Sequence, residues 1–157
     1  MGLILFIVLF LIISCYRLIK YKSLTKPPVT YKDYLKLYAI SRVNPFNKKK
    51  SIKILKEALE ANHHFLDIEK KGFMLELGLL YGSLKDFEKA IHYMDQAFLD
   101  FNEKIRYHSN LITALKIYHL ANEAQKAQSI FENLIKLEKY DPKYKKLWKF
   151  KDEIYQR

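Results

Sequence analysis

The chain has 157 residues and a net charge of +11, and half of its residues are hydrophobic. It is long enough for one domain with a core of its own and too apolar to be a disordered chain. Its single cysteine excludes an internal disulfide framework and a cysteine-rich zinc module. Four glycines, with no GxGxxG or GxxxxGK[ST] pattern, exclude the common phosphate-binding loops. The positive charge is compatible with a nucleic acid or with an anionic membrane surface.

The N-terminal segment is strongly apolar. Residues 3–13 are apolar without interruption, and the apolar character extends to Ile19. These roughly 17 residues are near the shortest length that spans a bilayer as a helix, so residues 1–19 are predicted to form a transmembrane anchor. Basic residues follow this segment and none precedes it. The positive-inside rule then predicts an N-terminus outside the cell and the rest of the chain in the cytoplasm.

A second interpretation concerns Cys15. The sequence Ile12-Ile13-Ser14-Cys15 resembles a bacterial lipobox, in which the cysteine is acylated after cleavage. The chain would then be a surface lipoprotein, anchored by lipid on the outer face with its domain outside the cell. The absence of a basic residue near the N-terminus counts against a secretory signal peptide. In the anchor interpretation, Cys15 is an apolar residue of the membrane helix.

The positive charge is concentrated at two places in the chain. Residues 17–50 contain ten basic residues and one acidic residue, residues 51–142 contain twelve and fourteen, and residues 143–157 contain six and two. The central part is therefore close to neutral, and the first basic block directly follows the apolar segment. This distribution favours contact with an anionic membrane surface. The residues predicted to make that contact are Arg17, Lys20, Lys22, Lys26, Lys143, Lys145, Lys146 and Lys149.

The chain beyond the apolar segment is predicted to be all-α. Residues 20–31 form a basic linker that contains Pro27-Pro28, which ends any helix continuing from the membrane. The remaining residues show helical periodicity and no strand patterns of useful length. Breaks between helices are predicted at Asn44-Pro45, Gly82-Ser83 and Asp141-Pro142.

A pattern recurs at steps of about 39 and 37 residues. Its clearest copy is Met74-x2-Leu77-Gly78-x2-Tyr81 followed by Ala90 and Met94, and weaker copies begin at Leu35 and Leu111. The pattern resembles the tetratricopeptide repeat, in which small residues allow two helices of a hairpin to approach closely. The resemblance covers residues 32–141 and implies three helical hairpins at about 32–65, 71–104 and 108–141, stacked as a solenoid.

A stacked solenoid requires a cap on its last hairpin. Residues 142–157 are predicted to form this basic capping helix, because aromatic and aliphatic residues recur in it at helical spacing. Its apolar side would cover Phe131 and Leu134, with the lysines pointing outward.

The resemblance also implies a peptide-binding groove lined by the first helix of each hairpin. In this chain the groove residues would be Lys36, Ile40, Val43, Leu75, Leu79, Ile112, Lys116 and His119. Such a surface suits an amphipathic or extended segment that carries an acidic residue or two. Lys36 fits one position of the carboxylate clamp of chaperone-binding members, but Ile40 stands where asparagine is expected. A chaperone C-terminus is therefore not favoured.

The sequence does not predict an enzyme. No combination of acid, base and nucleophile, no H-E-x-x-H and no GxSxG occurs, so no catalytic, cofactor-binding or metal-binding residue is assigned. The favoured function is a membrane-tethered adaptor or scaffold that binds a membrane-associated protein or peptide. The architecture is similar to that of bacterial envelope-assembly adaptors with one N-terminal span, which implies a role in envelope assembly or secretion. A nucleic-acid-associated repeat protein is a third interpretation, because residues 143–151 alternate cations with aromatic residues.

Overall fold

The computed structural model describes residues 27–61, 65–100 and 106–155, and within these ranges the protein is entirely helical, with no strand. The all-α prediction is confirmed for this part of the chain. Seven α-helices are present there: α1 (Tyr31–Arg42), α2 (Lys48–Glu60), α3 (Asp67–Ser83), α4 (Phe87–Phe98), α5 (Asn110–Leu120), α6 (Ala124–Lys136) and α7 (Lys151–Tyr155). Short 3-10 helices at Pro45–Asn47 and Leu137–Lys139, and a longer one at Pro142–Phe150, connect them.

The predicted transmembrane anchor, residues 1–19, lies outside the described residues, as do Cys15 and residues 20–26 of the linker. Among the helices that the structure describes, none combines the length and the apolar character needed to cross a bilayer.

The first helix begins where the linker ends. Thr30 caps α1 through a reciprocal pair of bonds, in which the Thr30 hydroxyl accepts from the Asp33 backbone N–H and the Asp33 carboxylate accepts from the Thr30 backbone N–H. Each of these bonds satisfies a backbone donor that the start of a helix would leave unpaired. The basic linker therefore passes directly into a fixed helix start.

Helices pack in consecutive pairs, α1 with α2, α3 with α4 and α5 with α6, and neighbouring pairs also touch. The turns that close the second and third pairs are built identically. Lys85 and Asn122 both adopt a positive φ, near 60°. Asp86 N–H donates to the Tyr81 carbonyl at 3.0 Å, and Glu123 N–H donates to the Tyr118 carbonyl at 2.9 Å. Both are Schellman turns, and equivalent residues lie 37 positions apart, in agreement with the period of the sequence pattern.

Two glycines of α3 allow close helix approach. At Gly78 an added Cβ would collide with Met94 Cγ and lie 3.0 Å from the Ala90 carbonyl oxygen, both in α4. At Gly82 an added Cβ would collide with Ile117 of α5. The break predicted at Gly82-Ser83 agrees with the end of α3, which includes Gly82 and ends at Ser83. Gly82 is required by the contact with the next hairpin and does not interrupt the helix.

A second contact between hairpins is polar. The Asp95 carboxylate of α4 accepts from the Tyr118 hydroxyl of α5 at 2.7 Å and from the Lys126 ammonium of α6 at 2.9 Å. Burial, followed by this bond to Asp95, raises the pKa of Tyr118 above its usual value. The second and third hairpins are therefore joined by an apolar contact and by a bond from the buried Tyr118 phenol to a partly exposed carboxylate.

The C-terminal segment covers the last hairpin, but mainly as a 3-10 helix. Tyr144, Leu147 and Ile154 are buried, while Trp148 and Tyr155 meet the Phe131 ring edge-on at centroid distances of 6.3 Å and 6.0 Å. A 3-10 helix has three residues per turn, so the residues at positions 144, 147 and 150 fall on one side of it. Pro142–Phe150 is thus a 3-10 helix where the sequence predicted an α-helix, and α-helical structure begins at Lys151.

The two glycines of α3 at positions 72 and 78 provide a matched test of the packing. Gly78→Ala should lower the free energy of unfolding by about 1–3 kcal/mol, because the new methyl group overpacks the α3–α4 contact. Gly72→Ala should raise it by about 0.5–1 kcal/mol, since the nearest atom there, the Tyr31 hydroxyl oxygen, is 3.5 Å from the added Cβ. Urea unfolding of both variants measures the difference. Equal effects at the two positions would contradict the close approach at Gly78.

The buried phenol of Tyr144 predicts a loss of stability at alkaline pH. Burial, and secondarily the Asp141 carboxylate, raises the pKa of Tyr144 from 10.0 to about 12. The folded chain therefore keeps a proton that the unfolded chain loses, so stability is complete below pH 10 and falls as the pH rises towards 12. Tyr144→Phe should lose less stability over this interval than the parent chain. The free energy of unfolding at about pH 8, where the phenol is protonated in both states, measures the separate effect of removing the hydroxyl. Parallel curves of the free energy of unfolding against pH for the two proteins would contradict the prediction.

Candidate functional site

The carboxylate of Glu76 connects the first helices of all three hairpins. Glu76 lies on α3, and it accepts from the Tyr38 hydroxyl and from Arg42 Nη1 (3.3 Å), both on α1. On its other side it accepts from Asn110 Nδ2 of α5 at 2.7 Å. Only 19% of the Glu76 side chain is exposed, so these bonds form in a partly desolvated setting, where charge-assisted bonds are strong.

The phenol of Tyr38 shows the strength of this environment. Burial is the larger cause and the bond to Glu76 the second cause that raise the pKa of Tyr38 far above its usual value. The nearby Arg42 cation acts in the opposite direction and lowers this pKa. Tyr38 therefore remains a neutral donor at any physiological pH. Its ring also has the Arg42 guanidinium carbon 5.9 Å from its centroid, so Arg42 is held between a carboxylate and an aromatic face.

A cavity of about 270 Å³ opens beside this cluster. We call it the inner groove. Its lining comes from α1, from the start of α2, from α3 and from α5: Tyr38, Arg42, Asn44, Lys48, Ser51, Glu76, Leu79, Leu80, Ser83, Asn110 and Thr113. Most of its wall is apolar, with polar groups at defined points, which is the usual composition of a binding site.

The charged groups of the inner groove lie toward one end. The Arg42 side chain is 55% exposed although one of its nitrogens bonds Glu76. Lys48 Nζ donates to the Ser83 carbonyl at 3.3 Å and thereby joins the start of α2 to the end of α3. Two cations and one carboxylate give this end a positive balance. The arrangement can bind a carboxylate group while the apolar wall accommodates an aliphatic or aromatic side chain.

Of the eight groove residues that the sequence predicted, Leu79 is the one that lines this cavity. Lys36 and Val43 are exposed, and Ile40 is half-buried. Leu75 and Ile112 pack against the core. Lys116 forms a salt bridge with Glu153 of α7 at 2.9 Å and lies over the Phe150 ring, while His119 is half-buried. The structure therefore distributes these residues over several surfaces, and Leu79 alone is in the inner groove.

A second, smaller cavity of about 80 Å³ contains Leu75. It lies between α3, the end of α4 and the start of α5, on a different surface from the inner groove. Its lining is largely apolar, with Lys71, Arg106 and His108 at the edge.

The histidines and acids of the described residues form no cluster of three or more groups that could hold a metal ion. His92 interacts with Gln96 at 3.1 Å on the surface of α4. His63 and His64 lie outside the described residues.

The C-terminal lysines predicted to contact a membrane are exposed. Lys143, Lys145, Lys146 and Lys149 all lie on the surface of the 3-10 helix Pro142–Phe150. Lys146 Nζ lies 5.9 Å from the centroid of the Tyr107 ring. The N-terminal members of that set, Arg17, Lys20, Lys22 and Lys26, lie outside the described residues.

No family model, no curated protein and no solved structure matches this chain.

A double-mutant cycle measures the bond between hairpins at Glu76. Tyr38→Phe and Glu76→Gln should each destabilise the protein, and the two changes should be coupled by about 1–2 kcal/mol, because the first removes the donor and the second the charge of the acceptor. Urea unfolding supplies the four free energies. Tyr140→Phe, at a tyrosine whose side chain is 51% exposed, is the control and should combine additively with Glu76→Gln. Additive effects in the Tyr38 cycle would contradict a direct bond in solution.

Proposed function

We propose that the three helix pairs are tetratricopeptide-like repeats and that the protein is a membrane-tethered adaptor. The proposal is supported by the two identical Schellman turns 37 residues apart and by the close approach at Gly78, where the repeat pattern has its small residue. A stack of such hairpins buries one continuous core and leaves the first helices facing a shared surface.

The observation that carries the functional part is the inner groove. It lies between the first helices of consecutive hairpins, where repeat proteins of this type bind partner segments. Its cations at one end and its apolar wall suit an extended or helical peptide that places a carboxylate near Arg42 and an apolar side chain near Leu79. The partner is thus a protein segment with an acidic residue next to apolar ones.

The tether in this proposal is the apolar segment of residues 1–19. Its flanking cations support a cytoplasmic position for the helical domain. A domain held at the membrane meets partners that are themselves membrane-associated at a raised effective concentration. Envelope assembly or secretion is the process that this arrangement serves.

Nucleic-acid binding is less well supported than protein binding. The aromatic residues of the C-terminal segment are partly engaged: Tyr144 is buried, and Trp148, although 47% exposed, donates its Nε1–H to Glu138 Oε2 at 3.0 Å. Rings engaged in this way are poor platforms for stacking bases, which is what single-strand binding requires.

Site-specific photocrosslinking in intact cells tests the proposal. A benzophenone amino acid at Thr113, an exposed residue of the inner groove, should capture one partner protein. The same amino acid at Ser129, exposed on α6 and outside the groove, is the matched control and should not. Leu79→Glu should abolish capture from Thr113 because it places a charge on the apolar wall, with the helical content unchanged. Capture of the same proteins from Thr113 and from Ser129 would contradict a groove-based adaptor. Capture from Thr113 that Leu79→Glu does not reduce would contradict it too.

A further inference from the structure

The turn that closes the first hairpin differs from the other two. The second and third hairpins close with Schellman turns, whereas the first inserts the 3-10 helix Pro45–Asn47 between α1 and α2. The Asn44 carboxamide oxygen accepts from the Phe46 backbone N–H at 3.0 Å and holds this insertion in shape. The insertion presents Phe46, which is 93% exposed, beside Val43, which is 68% exposed. An aromatic side chain fixed in water by a capped turn has no role in the core of this domain.

The other two turns lie on the same edge of the protein. Lys48 Nζ donates to the Ser83 carbonyl, so the first turn touches the second. Gly82, next to the second turn, is in contact with Ile117 near the third. This edge, which we call the turn edge, exposes one further large apolar residue at each of these turns, Leu84 (45%) and Leu120 (64%).

The charges near the turn edge are mostly positive. Lys49, in the basic run at the start of α2, and Lys85, in the second turn, are both exposed. Two of the acidic residues nearby lie close to a lysine, Asp86 to Lys89 at 2.6 Å and Glu123 to Lys126 at 3.9 Å, while Glu88 in the first turn of α4 is exposed. The turn edge therefore combines protruding apolar side chains with cations, and its acids are partly neutralised.

We propose that the turn edge docks on an anionic lipid bilayer, with Phe46 and Val43 inserted at the level of the headgroups and the lysines paired with lipid phosphates. A protruding row spread over three turns fits a planar, deformable surface better than it fits a protein pocket. Aliphatic residues such as Leu84 and Leu120 do not stack on bases, so a bilayer fits this edge better than a nucleic acid does. Interfacial binding of this kind depends on both apolar insertion and anionic lipid.

This proposal deepens the tethering part of the proposed function, because it assigns an orientation to the tethered domain. The inner groove shares Arg42, Asn44 and Ser83 with the neighbourhood of the turn edge. A domain resting on this edge would hold the positive end of the groove next to the membrane surface. The partner segment would then be one that lies close to the bilayer.

Tryptophan fluorescence with brominated lipids tests the docking. The chain has a single tryptophan, so Trp148→Phe provides a silent background for the full-length protein. Phe46→Trp in this background keeps an aromatic residue at the turn edge. Leu99→Trp is the matched control, because Leu99 is 64% exposed but follows α4, at the opposite end of the helices from the turns. Circular dichroism checks that both variants keep the parent's helical content.

On vesicles with about 30% brominated phosphatidylglycerol, Phe46→Trp should be quenched roughly threefold more strongly than Leu99→Trp, with a shift of emission to shorter wavelength. Lys49→Glu combined with Lys85→Glu should remove this difference. Equal quenching at the two positions would overturn the proposal. The proposal would also be overturned if single-stranded RNA changed the tryptophan fluorescence of the Phe46→Trp variant and vesicles did not. That result would assign the turn edge to nucleic acid.

Sedimentation with neutral vesicles separates this proposal from the tether. If the chain sediments with neutral vesicles but position 46 is not quenched on anionic ones, the tether stands and docking of the turn edge is overturned. If the chain sediments only with anionic vesicles and position 46 is quenched there, docking is supported and the transmembrane tether fails. Photocrosslinking from Thr113 reports on the groove independently of both outcomes.

Discussion

A partly buried carboxylate, Glu76, organises the surface between the first helices of this protein. Removing a carboxylate from water is unfavourable unless donors replace its hydration, and here the donors come from α1 and α5, the helices on either side. Tyr38, Arg42 and Asn110 can supply them only if the three hairpins stack in this register. The same bonds fix the walls of the inner groove, because the groove opens beside these residues. Stability and the shape of the binding surface therefore depend on one set of contacts.

The first turn of the turn edge differs from the other two in length and in what it exposes. The second and third turns are short and identical, and their geometry is determined by backbone bonds and a positive φ. The first turn is longer and exposes an aromatic residue that contributes nothing to packing. One turn can vary in this way because each turn lies at the surface and contacts only its neighbours. The variation places a membrane-binding feature beside the groove without disturbing the core.

The sequence predicted the all-α character of the described residues, and it placed the candidate groove on other residues than most of those that line the inner groove. Helix type, the turn after α3 and the small residue at Gly78 follow from local patterns with direct steric causes. The inner groove depends instead on the face of α1, α3 and α5 that the long polar side chains share. Of the positions transferred from the repeat pattern, Leu79 lines this groove. In the sequence, Glu76 resembles any acidic residue on the solvent face of an amphipathic helix. Its hydrogen bonds to donors from the other two hairpins become visible only in the structure. The 3-10 geometry after Asp141 was likewise not visible in the sequence, because the spacing of the apolar residues there also fits an α-helix.

Hydrogen exchange of the full-length Glu76→Ala variant tests the central claim most directly. If Glu76 joins the first helices of the three hairpins, amides of α1 and α5 that face the inner groove should lose protection together, while amides of α7 and the C-terminal 3-10 helix keep theirs. A loss of amide protection confined to the part of α3 around position 76, with protection in α1 and α5 unchanged, would contradict the claim that this carboxylate holds the three hairpins and the inner groove together.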